Sequence, residues 1–250
     1  MASVQRVYTA LKDLVNKDQR GFVTPSIFNQ FAAVAQMNVY NRMFDEKRNA
    51  LRFRRQNIDP ARDFAKSKQV EEDLSLLVKK ATLSLTSGLT DKPADLGRVI
   101  SMSTVGKKIL GVQKQALVQL VYNAAQIDRI LNSSLSVPTD DAPVALVSEQ
   151  IEVFPNVNTS IASVVLTYYK LPQGLNAQTG AQVTSQPTFA YTTTIPGVEI
   201  YDSSNSVDFE LPELYFVDLV MEIASLIGVN LRDTQVVQYS EGIKASEAAN

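Results

Sequence analysis

The chain has 250 residues, 45% of them hydrophobic and 20% charged, which is the composition of a globular protein with one or two buried cores. His, Cys and Trp are all absent, which excludes imidazole general bases, Ser-His-Asp and Cys-His mechanisms, thiolate nucleophiles, disulfides, Fe–S clusters and the usual His/Cys zinc sites. Lys+Arg 24 against Asp+Glu 26 leaves −2 overall, but residues 1–80 carry +6 and residues 81–250 carry −8, so the two parts are expected to face different neighbours.

Val4, Val7, Tyr8, Leu11, Leu14 and Val15 recur at helical spacing and predict an amphipathic first helix ending near Asn16, where a polar run to Gly21 begins. Thr24 suits the N-cap and Pro25 the first position of a second helix. Its apolar stripe is Phe28, Phe31, Ala32, Ala35, Val39 and Met43, and it is expected to run to about Arg55, with Asp59-Pro60 as the break beyond it. A shorter helical segment is predicted around Val70 to Val78.

From 81 to 207 the chain turns rich in Thr, Ser, Val, Gly and Pro. Strands are predicted at 80–87, 98–104, 108–112, 115–121, 144–154 and 161–170, with extended pieces near 188–194 and 198–201. Gly106 belongs to the turn between the second and third, so Gly106-Lys107-Lys108 reads as a hairpin tip. Asn123 to Gln126 reads as a capping box opening a short helix through Asn132. Pro138, Pro143, Pro155, Pro172, Pro187 and Pro196 argue against long helices here.

Helical texture returns with Pro212 in a first turn, Leu214, Val217, Leu219, Val220, Ile223, Ala224 and Ile227 as apolar positions, and Gly228 near the end. A last short helix is expected from Asp233 to about Ser240, followed by a loose polar tail. The order of helices, strands and helices, with no alternating βαβ units, predicts an α+β fold. The expected architecture is a helical bundle formed by the N- and C-terminal segments, 1–80 and 208–250, with a β-rich insertion over 81–207.

Carboxylates are the only acid/base groups left, and the pairs are Asp140 with Asp141, Glu149 with Glu152, and Asp208 with Glu210. Asp140-Asp141 lies in a Pro-bounded turn, where Asp is favoured for bonding the local backbone. No calcium loop, phosphate-binding glycine loop or dinucleotide fingerprint is present. No catalytic, cofactor or metal residue is therefore assigned. The strongest charged feature is the run from Arg42 to Arg55, where Arg42, Lys47, Arg48, Arg52, Arg54 and Arg55 stand against Asp45 and Glu46, with Phe44 and Phe53 between. Such a segment suits a subunit interface or a DNA-facing surface, and the acidic 81–250 region of a second copy would be a matching partner. No apolar run approaches the roughly 18 residues that span a bilayer. The first fifteen residues lack a basic region followed by an apolar block, so neither a membrane span nor a signal peptide is expected.

The run NKDQRGFVTPSIFNQFAAVAQ, from Asn16 to Gln36, resembles the opening of a family of structural proteins of podovirus-type tailed phages, especially the crAss-like phages of Bacteroidota. The shared order is Asn-Lys, a Gly-aromatic step, a Thr-Pro helix start, Phe-Asn and Ala-Gln. ILNSSLSVPTDDAP from Ile130, VVLTYYKLP from Val164, SVDFELPEL from Ser206, and IGVNLRD from Ile227 followed by Gln238-Tyr239 are similar to later parts of the same family. The resemblance implies a virion component made in the host bacterial cytoplasm, a ring-forming head-to-tail connector subunit below the portal. It implies twelvefold rings of copies of the chain, contacts with the portal and with neighbouring ring or tail proteins, and an axial channel for phage DNA without sequence-specific binding. Thr24-Pro25 and Leu211-Pro212-Glu213 would mark helix starts and VVLTYYKLP a strand, with no catalytic residue to carry over. Other expectations are a capsid-decorating or tail-fibre-attaching protein and, last, a carboxylate-dependent cell-wall hydrolase using Asp140, Asp141, Glu149 and Glu152.

Overall fold

The computed structural model describes residues 1–17, 23–56, 68, 71–105, 107–109, 112–157, 161–193 and 199–230. The chain divides into two compact units, one made of Met1–Asp73 with Pro172–Asn250 and the other of Leu74–Leu171.

The first unit holds α1 (Val4–Lys17), α2 (Pro25–Gln56) and, near the other end of the chain, α4 (Phe216–Asn230). Each forms where an apolar stripe meets a helix start. Thr24 Oγ1 accepts the Ile27 N–H at 3.3 Å and the Thr24 carbonyl accepts the Phe28 N–H at 3.0 Å, so the cap read from Thr24-Pro25 opens α2 as expected. Val4, Val7, Tyr8 and Leu11 of α1, Phe28, Ala32, Ala35, Val39 and Met43 of α2, and Leu219, Val220, Ile223, Ala224 and Ile227 of α4 are buried. α4 packs against both α1 and α2. A 3-10 turn over Glu213–Tyr215 leads into it.

These helices are not a bundle. The same unit contains β10 (Gly174–Asn176), β11 (Gln182–Val183), β12 (Tyr191–Thr192), β13 (Ile200–Tyr201) and β14 (Val207–Phe209), paired as a three-stranded sheet β11-β10-β14 and a two-stranded sheet β12-β13. The Ala2 N–H donates to the Leu211 carbonyl at 3.0 Å and the Phe209 N–H to the Ala2 carbonyl at 3.2 Å, which binds the chain before α1 alongside the end of β14. Phe189, Phe209 and Leu211 close the core with the helices. The expected helical bundle with a β-rich insertion is thus corrected to an α+β mixture with sheet in both units, because strands as well as helices cover the apolar stripes.

The second unit carries β1 (Val78–Ser84), β2 (Leu89–Thr90), β3 (Leu96–Thr104), β4 (Lys107–Ile109), β5 (Val112–Lys114), β6 (Gln119–Val121), α3 (Ala124–Leu131), β7 (Val144–Val147), β8 (Ile151–Phe154) and β9 (Ser163–Lys170). β9 is the centre of the antiparallel sheet β1-β9-β3, and its alternation buries Val164, Leu166 and Tyr168 on one face. A four-stranded sheet runs β2-β8-β7-β6, and β4-β5 is a separate hairpin. Met102, Val118, Ala145, Ile151, Val153, Val164, Leu166 and Tyr168 form the main core.

Several local readings differ from expectation; the strand expected at 108–112 is divided between β4 and β5, and that expected at 115–121 is only Gln119–Val121. The single strand anticipated over 144–154 is a hairpin, β7 and β8, turned by Ser148–Gln150, where the Ser148 N–H donates to the Gln150 carbonyl at 3.0 Å. β6 pairs with β7 in parallel, so β6-α3-β7 is a βαβ step that the sequence order did not suggest. Lys107 and Lys108 lie within β4 rather than at a hairpin tip. The expected break at Asp59-Pro60, the turn residue Gly106 and the expected helix over 233–240 lie outside the described residues.

Candidate functional site

The basic run of α2 begins inside the packed part of the helix. Arg42 Nη2 meets Asp218 Oδ1 of α4 at 2.6 Å, and one turn earlier Asn38 Nδ2 donates to Glu222 Oε1 at 2.9 Å. The two rungs set α2 and α4 antiparallel. Further along, Lys47 pairs with Glu71 at 3.5 Å and Arg48 with Asp45 at 3.0 Å. Arg52, Arg54 and Arg55 lie in the last turns of α2, and their side chains fall outside the described residues.

The partners of these cations bear on the charge asymmetry. Arg6 pairs with Glu213 and its guanidinium stands 5.2 Å from the centre of the Phe216 ring, while Lys12 pairs with Glu199 at 3.6 Å. With Arg42–Asp218, three cations of the basic N-terminal part therefore meet anions of the acidic C-terminal part within one chain. The sequence reading offered those anions to a second copy.

The carboxylate pairs have separate fates. Asp140 and Asp141 occupy the turn between Thr139 and Ala142, whose backbones bridge. Glu149 and Glu152 line an open cleft of about 690 Å³ with Leu89, Asp91, Lys92, Ser148 and Gln150. Gln150 Nε2 donates to Asp91 there at 2.7 Å, and the Ser148 hydroxyl donates to the Gln150 carbonyl at 3.3 Å.

Asp208 and Glu210 are structural. Asp208 Oδ1 accepts the Val4 N–H at 2.7 Å, placing a carboxylate at the positive end of α1. Burial nonetheless pushes the Asp208 carboxyl above its ordinary value, against the opposing pull of the Val4 N–H, the nearby N-terminal charge and Ser3. Glu210 is buried and accepts the Gln173 N–H at 2.8 Å and the Gln182 Nε2 at 2.8 Å.

Sequence reasoning missed the partner that completes this arrangement. Gln36, fully buried on α2, accepts the Glu210 N–H at 3.0 Å and donates to the Gln173 carbonyl at 2.8 Å. Asn29 makes a similar two-bond clasp two turns earlier on the same face, accepting the Phe189 N–H at 2.8 Å and donating to its carbonyl at 3.0 Å. Both satisfy buried backbone groups of the 172–211 segment with helix amides. The available signal was Gln36 in phase with Phe28, Ala32, Ala35 and Val39, an amide on an apolar stripe.

Three tyrosines are held by carboxylates. Tyr8 donates to Glu199 at 3.0 Å, Tyr168 to Asp95 at 2.7 Å and Tyr215 to Asp73 at 2.9 Å. Burial, then the adjacent carboxylate, raises each phenol above its ordinary value. Burial alone would raise Asp95, but its bonds to Lys79 and Tyr168 outweigh that and leave the carboxyl below its ordinary value.

Among the described residues no group of three or more acidic side chains is placed to hold a metal ion, and no helix is long and apolar enough to cross a membrane. No protein-family model and no curated protein matches the chain.

Proposed function

We propose that the chain is a virion structural protein, a ring-forming subunit of a phage head-to-tail connector that joins capsid to tail below the portal. The observation that carries this reading is the ordered series of motifs and the work each performs in the fold. Thr24-Pro25 opens α2, VVLTYYK supplies the central strand β9, and SVDFEL supplies β14 with the Asp208 and Glu210 anchors. The similarity lies in framework positions, as expected of a protein whose role is to hold a shape.

A ring requires a heterologous interface, in which one patch meets a different patch on the next copy. The basic sequence toward the end of α2, which includes Arg48, Arg52, Arg54 and Arg55, would supply charge for acidic surface on a neighbour. Phage DNA would pass along the ring axis, and the portal and adjacent ring or tail proteins would cap the two faces. The deciding experiment is quantitative mass spectrometry of purified particles, reading copies of this chain against the major capsid protein. About twelve copies, or a small multiple, support a ring on the portal axis. Hundreds of copies would transfer the chain to the capsid surface, and absence from the particle would end the structural reading.

A further inference from the structure

The 74–171 unit is built in layers. Val164, Leu166 and Tyr168 turn one face of the β1-β9-β3 sheet into the core shared with Ala145 of β7 and Ile151 and Val153 of β8. On the far side of β7 and β8 lies α3, with Ile127 packed against Val144 and Phe154. The outer face of β1-β9-β3 and the α3 layer are therefore opposite poles of the unit, separated by one sheet spacing of about 10 Å and a further layer. Strand register puts Val78, Tyr169 and Arg98 in one row of the outer face and Lys80, Thr167 and Ser101 in the next. Only Thr, Val and Ser occupy the remaining rows, so this face carries two cations and no carboxylate. Lys80 and Arg98 are exposed, as are Val78 and, in the bulge between Val99 and Ser101, Ile100.

The other pole carries the complementary chemistry. The loop from α3 to β7 exposes Leu135 by 96% and Val137 by 54%, and its only charged residues are Asp140 and Asp141. Its own bonds hold it in shape: Asn132 Nδ2 donates to the Asp128 carbonyl at 2.8 Å, Ser133 Oγ accepts the Leu135 N–H at 3.3 Å, and Thr139 Oγ1 accepts the Ala142 N–H at 3.2 Å. Apolar side chains presented on a pre-shaped loop lose little freedom on docking. We propose that this loop docks on the outer β1-β9-β3 face of a second copy of the chain, Leu135 and Val137 covering Val78 and Ile100 while Asp141 meets Lys80 and Arg98. Because the two surfaces stand at opposite poles, a copy cannot close on itself, and the contact is of the heterologous kind that generates rings or filaments. A polyanion would engage the two cations but leave the apolar side chains of both poles uncovered, whereas a second copy covers them. The proposal deepens the connector reading and rests on it for closure of the ring. The contact itself is measured on the isolated chain, so either can fail without the other.

The chain has no cysteine, so an introduced pair reports this contact alone. The test is cross-linking of the concentrated full-length Thr82→Cys/Leu135→Cys variant with a short bis-maleimide, which tolerates small offsets in register, read on a denaturing gel. Thr82 shares the face of Lys80, and both substituted positions are exposed, so neither change reaches a core. The expected result is a ladder of dimers, trimers and higher species, with each single-cysteine variant stopping at the dimer. Adding Lys80→Glu is expected to reduce the ladder by about tenfold with the thermal midpoint unchanged, and adding Asp141→Lys to that variant is expected to restore it. No species beyond the dimer, or a ladder that Lys80→Glu leaves unmoved, would overturn the proposal. Binding of a mixed-sequence DNA duplex by the parent that Lys80→Glu abolishes, with no ladder, would give the face to nucleic acid instead.

Discussion

Gln36 shows how a single side chain can hold distant parts of the chain together. Its amide joins α2 to the backbone of Gln173 and of Glu210, 137 and 174 residues away in sequence. Replacing it with Ala leaves a buried N–H and a buried carbonyl without their partner, at a cost of about 1–3 kcal/mol for each group so stranded. Gln36→Ala is therefore expected to lower the urea midpoint clearly, whereas substitution of exposed Gln30 on the same helix is expected to leave it unchanged.

Asp208 gives a signed pH dependence. Its folded pKa lies above the ordinary 3.8, chiefly through burial, so the charged form is the one the fold penalises. Its contribution is fully present below the unfolded pKa and is lost as pH rises through the folded value. Asp208→Asn keeps an acceptor for the Val4 N–H without the charge. Urea unfolding from about pH 3 to about pH 7 is expected to show the variant gaining stability relative to the parent as pH rises. A relative loss over that interval would mean that charge at the start of α1 outweighs burial.

At the scale of elements, α2 shows what periodicity can and cannot convey. Its 32 residues give a rod of about 48 Å. The cap and stripe were legible because both are local: Thr24-Pro25 chooses the start, and a period near 3.6 chooses the buried face. Thr24→Ala is expected to cost about 1 kcal/mol in thermal or urea unfolding. The antiparallel rungs to α4 were not legible, since nothing local couples Arg42 to Asp218. A double-mutant cycle on that half-exposed pair is expected to return no more than about 1 kcal/mol of coupling, decreasing with added salt.

Strands at 80–87, 98–104 and 161–170 were legible and appear as β1, β3 and β9, whereas other β-elements escaped the sequence for a physical reason. Residues 144–154 read as one strand because Ser148, Glu149 and Gln150 carry neither Gly nor Pro, and a turn made of ordinary residues leaves no mark. The strands of β10 to β14 are two or three residues long, too short for an alternation to be counted. Their assignment to the helical unit depends on bonds to Ala2, Asn29 and Gln36, which are contacts across most of the chain.

For the whole molecule, the 74–171 unit leaves and re-enters the chain through neighbouring strands. Val78 of β1 opposes Tyr169 of β9, and the Lys170 N–H donates to the Leu77 carbonyl at 2.9 Å, so the two ends are adjacent. With its own core, this unit is expected to fold when expressed alone, read as a cooperative thermal transition and a dispersed amide spectrum. A collapsed, undispersed spectrum would show that it needs the rest of the chain. Within the connector reading, Arg54→Glu with Arg55→Glu is expected to reduce ring assembly in electron micrographs while leaving the thermal transition of the subunit in place.

Sequence alone determined the three long helices, the excluded chemistries and the strand that became β9. These follow from composition, caps and short periods, all properties of neighbouring residues. Tertiary structure decided that helices and strands share the 1–73 and 172–250 unit, that Asp208 and Glu210 anchor backbone, and that Arg42 meets its anion within the chain. Each of those outcomes depends on which distant segments meet, and a buried polar group is satisfied by whichever partner the fold brings to it.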